Sequence, residues 1–157
     1  MAKAKTVSEL SGIAQQLNSE SDDLSQSISQ LNDQLASLKL GLEFWWDEEP
    51  IADTGLEYDS FYSPPEKSRT SSFLGYGKIE DKWQLALKTT VGKFEWDNKA
   101  QEEKVIKESW YDPLTKASRD VRLEAALQFD DFLVALKEHA VAQLAKVKLA
   151  KKQAELK

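Results

Sequence analysis

The chain has 157 residues, 21 Lys and Arg against 27 Asp and Glu, no cysteine and a single histidine, His139. That length suits one domain with a core that needs no covalent staple. The missing cysteines exclude disulfides, thiolate nucleophiles and cysteine-held metals, and one histidine excludes any two-histidine metal site. A net charge of −6 argues against whole-domain nucleic-acid binding, and 41% apolar residues with 10% aromatic argue against disorder.

The first segment, 1–39, reads as one long helix. Leu10, Leu17, Leu24, Leu31 and Leu38 recur every seven residues, and Val7, Ala14, Ser21, Ile28 and Leu35 fill the complementary position. Ser, Gln, Asn and Asp separate them, so a narrow apolar seam of coiled-coil type runs along a polar rod. Thr6 and Glu9 have capping-box spacing. Such a stripe needs a partner, either the C-terminal helix of the same chain or helix 1 of a symmetry mate.

Residues 40–111 read as an antiparallel sheet of about four strands. Leu40, Leu42, Phe44 and Trp46 alternate with Gly41, Glu43 and Trp45, the period of a half-buried strand. Ser72–Ile79 and Trp83–Val91 flank a tight turn. Phe94–Trp96 extends the second of these, and Val105–Trp110 supplies another strand. Two polar loops are expected, the acidic Asp47–Asp59 and the turn-rich Ser63–Thr70. Gly75-Tyr76-Gly77, inside a strand, marks a bulge or a close backbone approach.

The segment 112–157 reads as a second long helix, with Asp112 as its cap and Pro113 at its first position. Ala126, Phe129, Leu133, Leu136, Ala140, Leu144 and Val147 form its stripe; Leu123, Leu127, Val134 and Val141 broaden it early on. The expected architecture is therefore α+β in the order helix, sheet, helix. Its two long helices pack antiparallel as a stalk on an aromatic β head.

Charge and aromatics are segregated. The net charge is −2 over 1–40, −6 over 41–118 and +2 over 119–157, and thirteen of the fifteen aromatics fall between Phe44 and Tyr111. The candidate contact surface is therefore the head. Trp45 and Trp46 are adjacent on a strand and must point to opposite faces, so something has to cover or bind the second face. Trp96 is a further candidate on the same sheet. Arg119 and Arg122 open the second helix, where positive charge opposes the helix dipole, so each calls for a specific partner: a carboxylate of the head or an anionic ligand.

Two other classes compete with protein interaction. Lys146, Lys148, Lys151 and Lys152 would serve a nucleic-acid or anionic-surface binder, although they lack the arginine and aromatic partners such surfaces use. The carboxylates Asp47, Glu48, Glu49, Asp53, Glu57 and Asp59 would serve a hard cation or a carboxylate-based hydrolase, but their spacing matches no calcium loop. His139 sits at the stripe margin as a packing residue. No nucleophile elbow or phosphate loop is present. With no apolar run long enough to span a bilayer and no apolar region after the basic first residues, a cytoplasmic location is expected. The expectation is a non-enzymatic interaction module that uses no metal or cofactor and binds a protein partner or itself, through the coiled-coil seam or the exposed aromatic face of the sheet.

Overall fold

A computed structural model describes residues 2–59 and 66–156. The Ser63–Pro65 part of the second expected loop lies outside the described residues. The chain is α+β: a long helix, an antiparallel sheet, then C-terminal helices. Helix α1 spans Ala2–Ser37. Thr6 does not cap it; its hydroxyl donates to the Ala2 carbonyl at 2.9 Å, one turn back inside the helix.

Three long strands form a meander, β4 (Glu66–Ile79), β5 (Lys82–Asp97) and β6 (Glu102–Pro113). A broken fourth lane runs along the far edge of β4 and consists of β1 (Phe44–Trp45), β2 (Ala52–Asp53) and β3 (Glu57–Asp59). The acidic loop of the sequence is thus partly strand, with Asp47–Pro50 looped out between β1 and β2. The β4–β5 connection is a two-residue turn in which Glu80 and Asp81 have φ of 53° and 64°. Positive φ at both central residues is the type I′ geometry whose twist suits the flanking strands.

The sheet has an inner and an outer face. Directly paired residues share a face, so Phe44, Tyr76 and Leu85 point inward together, as do Leu74 and Leu87. Against them pack Ile28 and Leu35 of α1, Leu114, and Ala125, Phe132 and Leu136 of the C-terminal helices, with Trp46 and Ile51 closing one side. Asn32 completes the docking of α1. Its side-chain oxygen accepts the Leu85 N–H at 2.8 Å, beyond the end of β6, whose last paired residue is Pro113 opposite Ala86. A buried donor left without its strand partner would be costly, and the helix supplies the acceptor.

The C-terminal segment differs from a single helix starting at Pro113. Pro113 ends β6, with extended backbone at φ −59° and ψ 138°, and a 3-10 turn follows at Leu114–Lys116. Helix α2 is Arg119–Leu127, capped by the Ser118 hydroxyl accepting the Val121 N–H. At Gln128 the backbone leaves helical geometry, and α3 begins at Phe129 and runs to Glu155. Each piece can then bury its own side: Ala125 on α2, and Phe132 and Leu136 on α3.

The stalk is not formed as a continuous pair. Only the C-terminal half of α1 is covered by the domain, by β5, the 3-10 turn and α2. Residues 2–20 are all exposed, with Val7 at 65% and Leu10 at 56% exposure. On α3, Val141, Leu144 and Val147 are likewise more than half exposed. The seams of the two helices therefore do not seal each other within one chain.

Candidate functional site

Two surfaces stand out: the outer face of the sheet and the uncovered half of α1. The outer face begins with Trp45. Its indole lies across β4, so close to Gly75 that a Cβ there would overlap the ring, while a Cβ on Gly77 would sit 3.0 Å from it. Ala86, paired with Gly75, continues this small-residue trough, and the ring reaches Tyr111 on β6 at a centroid distance of 4.8 Å. The Gly75-Tyr76-Gly77 signal is thus a close approach, made by a side chain. Trp46 points the other way. At 8% exposure, with its ring 6.2 Å from that of Phe132, it belongs to the core and is removed from the candidate binding residues.

Beyond Trp45 the outer face opens into a groove of about 570 Å³ whose floor carries Phe73, Phe94, Lys88 and Lys107. Asp53 and Arg69 form a polar pair at its edge: Arg69 Nε donates to Oδ1 and Oδ2 of Asp53 at 3.0 and 3.1 Å, and Nη2 also donates to Oδ2. The Arg69 guanidinium and the Gly55 N–H hold the Asp53 carboxyl down at about 2. A carboxylate held that low is a poor proton donor near neutrality, so Asp53 is unsuited to be the acid of a carboxylate pair. Lys88 and Lys107 make no ion pair among the described residues. Trp96 sits at the far end of this same face, 52% exposed on β5, two residues beyond the groove's Phe94.

The other expected residues are dispersed. Arg122 is half-buried and its Nη1 donates to Ser25 of α1 at 2.7 Å, while its Nε has no partner. Arg119 is exposed at the mouth of a cleft of about 230 Å³ between α1 and α2, beside Glu20 and Asp120. Neither arginine forms an ion pair among the described residues, so the expected carboxylate of the head is not their partner. Lys146, Lys148, Lys151 and Lys152 are exposed near the end of α3. Helical spacing turns Lys146 away from the other three, and Lys151 lies 3.8 Å from Glu155.

Asp47, Glu48 and Glu49 are exposed on their loop, and Glu57 is exposed on β3. Among the described residues no group of three or more His, Asp or Glu side chains is placed to hold a metal ion. His139 packs its ring 5.0 Å from Phe44. No described helix is long and apolar enough to cross a membrane.

Sequence reasoning missed Lys88, Lys107 and the Asp53–Arg69 pair. Strand register brings these together across β2, β4, β5 and β6, and no local motif marks them. No protein-family model matches the chain, and the searches of curated proteins and of solved structures gave no match.

Proposed function

We propose that the chain is a non-enzymatic protein-interaction module that engages its partner through the uncovered half of α1. The observation supporting this reading is the stripe of Val7, Leu10, Ile13 and Leu17, each at least half exposed, on a helix whose residues 2–20 are all exposed and which nears the rest of the chain only at the α2 cleft beside Leu17. A helix left without tertiary packing has little stability of its own in water, because most helical stability in proteins comes from burial of an apolar face, and Ser, Asn, Thr and Gly12 in this stretch add to that weakness. A partner that covers the stripe supplies the missing stabilisation. Heptad spacing fits a second helix better than a flat surface, because knobs at 3-4 spacing need matching holes.

The test is the size of the tagged chain in an extract of cells that express it. A species clearly larger than 17.8 kDa, reduced to that mass by Leu10→Glu/Leu17→Glu, is expected. A wild-type chain that elutes at its own mass would overturn the reading.

A further inference from the structure

Resting on that interaction reading, we infer that the occupant of the α1 stripe is the α1 stripe of a second copy, laid antiparallel. Three features of the free segment carry this inference.

The first is charge. Lys3 and Lys5 stand at one end of the segment, and Glu20, Asp22 and Asp23 at the other. Two copies side by side in parallel would bring lysine to lysine and carboxylate to carboxylate. Turned end for end, Lys3 on the seam meets Glu20, which flanks the seam of the partner copy, at both ends of the pair, while Lys5, Asp22 and Asp23 lie on outer faces and add only to the general field; orientation is selected by that attraction and by the lysine–lysine repulsion of the alternative. Glu9 is the one charged residue between these ends, and the middle is left to apolar contact.

The second is register. Antiparallel seams pair the two heptad positions with each other. Centring the pair on residue 12 sets Val7 against Leu17 and Leu10 against Ala14, each twice by symmetry. Lys3 then lies against Ser21, the polar break in the seam, next to Glu20. All of the exposed seam side chains are used, with Ile13 flanking the axis, and the hydroxyl of Ser21 faces a polar neighbour instead of a leucine.

The third is length. The paired stretch 3–21 measures about 28 Å at 1.5 Å per residue. It ends where α1 meets the domain, since Ser21 and Leu24 are already partly covered there. At that point lies the cleft between α1 and α2, walled by Leu17, Leu24 and Leu123, with Glu20 and Asp120 beside Arg119 at its rim. The incoming N-terminal turn of the second copy brings Lys3 to those carboxylates and Val7 to the leucines. The free length therefore matches the length that a second copy covers, and the two heads end up at opposite ends of a shared rod.

The experiment uses the purified full chain, with mass measured by light scattering from low to high micromolar concentration. Twice the 17.8 kDa chain mass is expected at the upper end. Leu10→Glu/Leu17→Glu should weaken dimerisation by more than about tenfold, since each buried carboxylate costs over 1.4 kcal/mol. The tryptophan emission of the head, distant from both positions, should not change and so reports that the variant is folded. Orientation is read with single cysteines in this cysteine-free chain. Lys3→Cys and Ser21→Cys proteins should form a disulfide-linked dimer when mixed, and little when oxidised separately.

A wild-type chain that stays monomeric throughout overturns the self-pairing. Lys3→Cys protein that links readily to itself overturns the antiparallel arrangement. If the purified chain is monomeric yet runs in a larger species in extract, the interaction reading stands and the partner is another protein. If both are monomeric, both fail.

Discussion

The two halves of α1 carry one heptad and meet opposite fates. In the second half Ile28 and Leu35 are buried, and Leu24 and Leu31 pack against the core. In the first half the equivalent positions, Val7, Leu10 and Leu17, are exposed. The first half carries the weaker seam, with Ala14 and Ser21 where the second has only Leu and Ile, but Val7, Leu10 and Leu17 are as apolar as the residues buried further on, so the seam alone does not decide burial. What differs most is the neighbour: β5, the 3-10 turn and α2 cover the second half, and beyond Ser21 the domain offers only the α2 cleft beside Glu20 and Leu17. The sheet repeats the contrast. Its turn end, from Leu74 to Leu87, is core, while Glu102–Asp112 of β6 is exposed along its whole length.

The largest effect should come from a truncation that tests this contrast directly. Ile28→Ala leaves a cavity at a fully buried site and should cost about 2–5 kcal/mol. Leu10→Ala, on the same seam, should change the stability of the dilute monomer by no more than about 0.5 kcal/mol. Urea unfolding followed by tryptophan emission measures both. Equal losses would mean that residues 2–20 are packed against something in the monomer.

Next in size is Gly75→Ala. The added Cβ would displace Trp45, since the ring occupies that space and β4 cannot retreat from β5. Overpacking of this kind costs about 1–3 kcal/mol. Gly77→Ala, where the Cβ would meet the ring edge at 3.0 Å, should cost less. A reversed order would show that Trp45 is not seated on Gly75.

Smaller again is the loss of the Asn32 side chain. Asn32→Ala leaves the Leu85 N–H without its acceptor and should cost about 1–2 kcal/mol. Asn18→Ala, in the exposed half, should be nearly neutral. Thermal melts of the pair separate an anchoring asparagine from one that only keeps the helix polar, a distinction with no trace in the sequence.

How much was legible follows the same divide. Period-2 and heptad patterns marked the elements, the hairpin turn and the opposition of Trp45 and Trp46, because each rests on contacts between near neighbours. The break at Gln128 was not visible, since Phe129 and Leu133 continue the stripe of Ala126 without interruption; the break follows from two different surfaces on which α2 and α3 must lie. The cap at Asp112 was misread because Pro113 fits a helix start and a strand end equally well until Ala86 is known to pair with it. The assembly of the groove was invisible for a stronger reason, although Asp53 stood among the candidate carboxylates. Asp53, Arg69, Lys88 and Lys107 come from four strands, and only register sets them on one face.

At the exposed end of the sheet, stabilisation comes from surface ion pairs rather than from a core, and the smallest effect is expected there. Asp53 is held at about 2 by the Arg69 guanidinium and the Gly55 N–H, below the 3.8 of a free aspartate. A depressed acid stabilises the fold when ionised. The contribution is therefore complete above about pH 4 and is lost as pH falls through about 2. Asp53→Asn removes that dependence, so wild type and variant should differ in stability at neutral pH and converge in acid. Because the pair lies at the surface, with the Arg69 side chain more than half exposed, salt should narrow the difference at neutral pH as well. A difference that persists unchanged at pH 2 would mean that the aspartate acts through its hydrogen bond to the β2 turn, not through its charge. The far end of the sheet would then be held by backbone geometry, as its core end is held by packing.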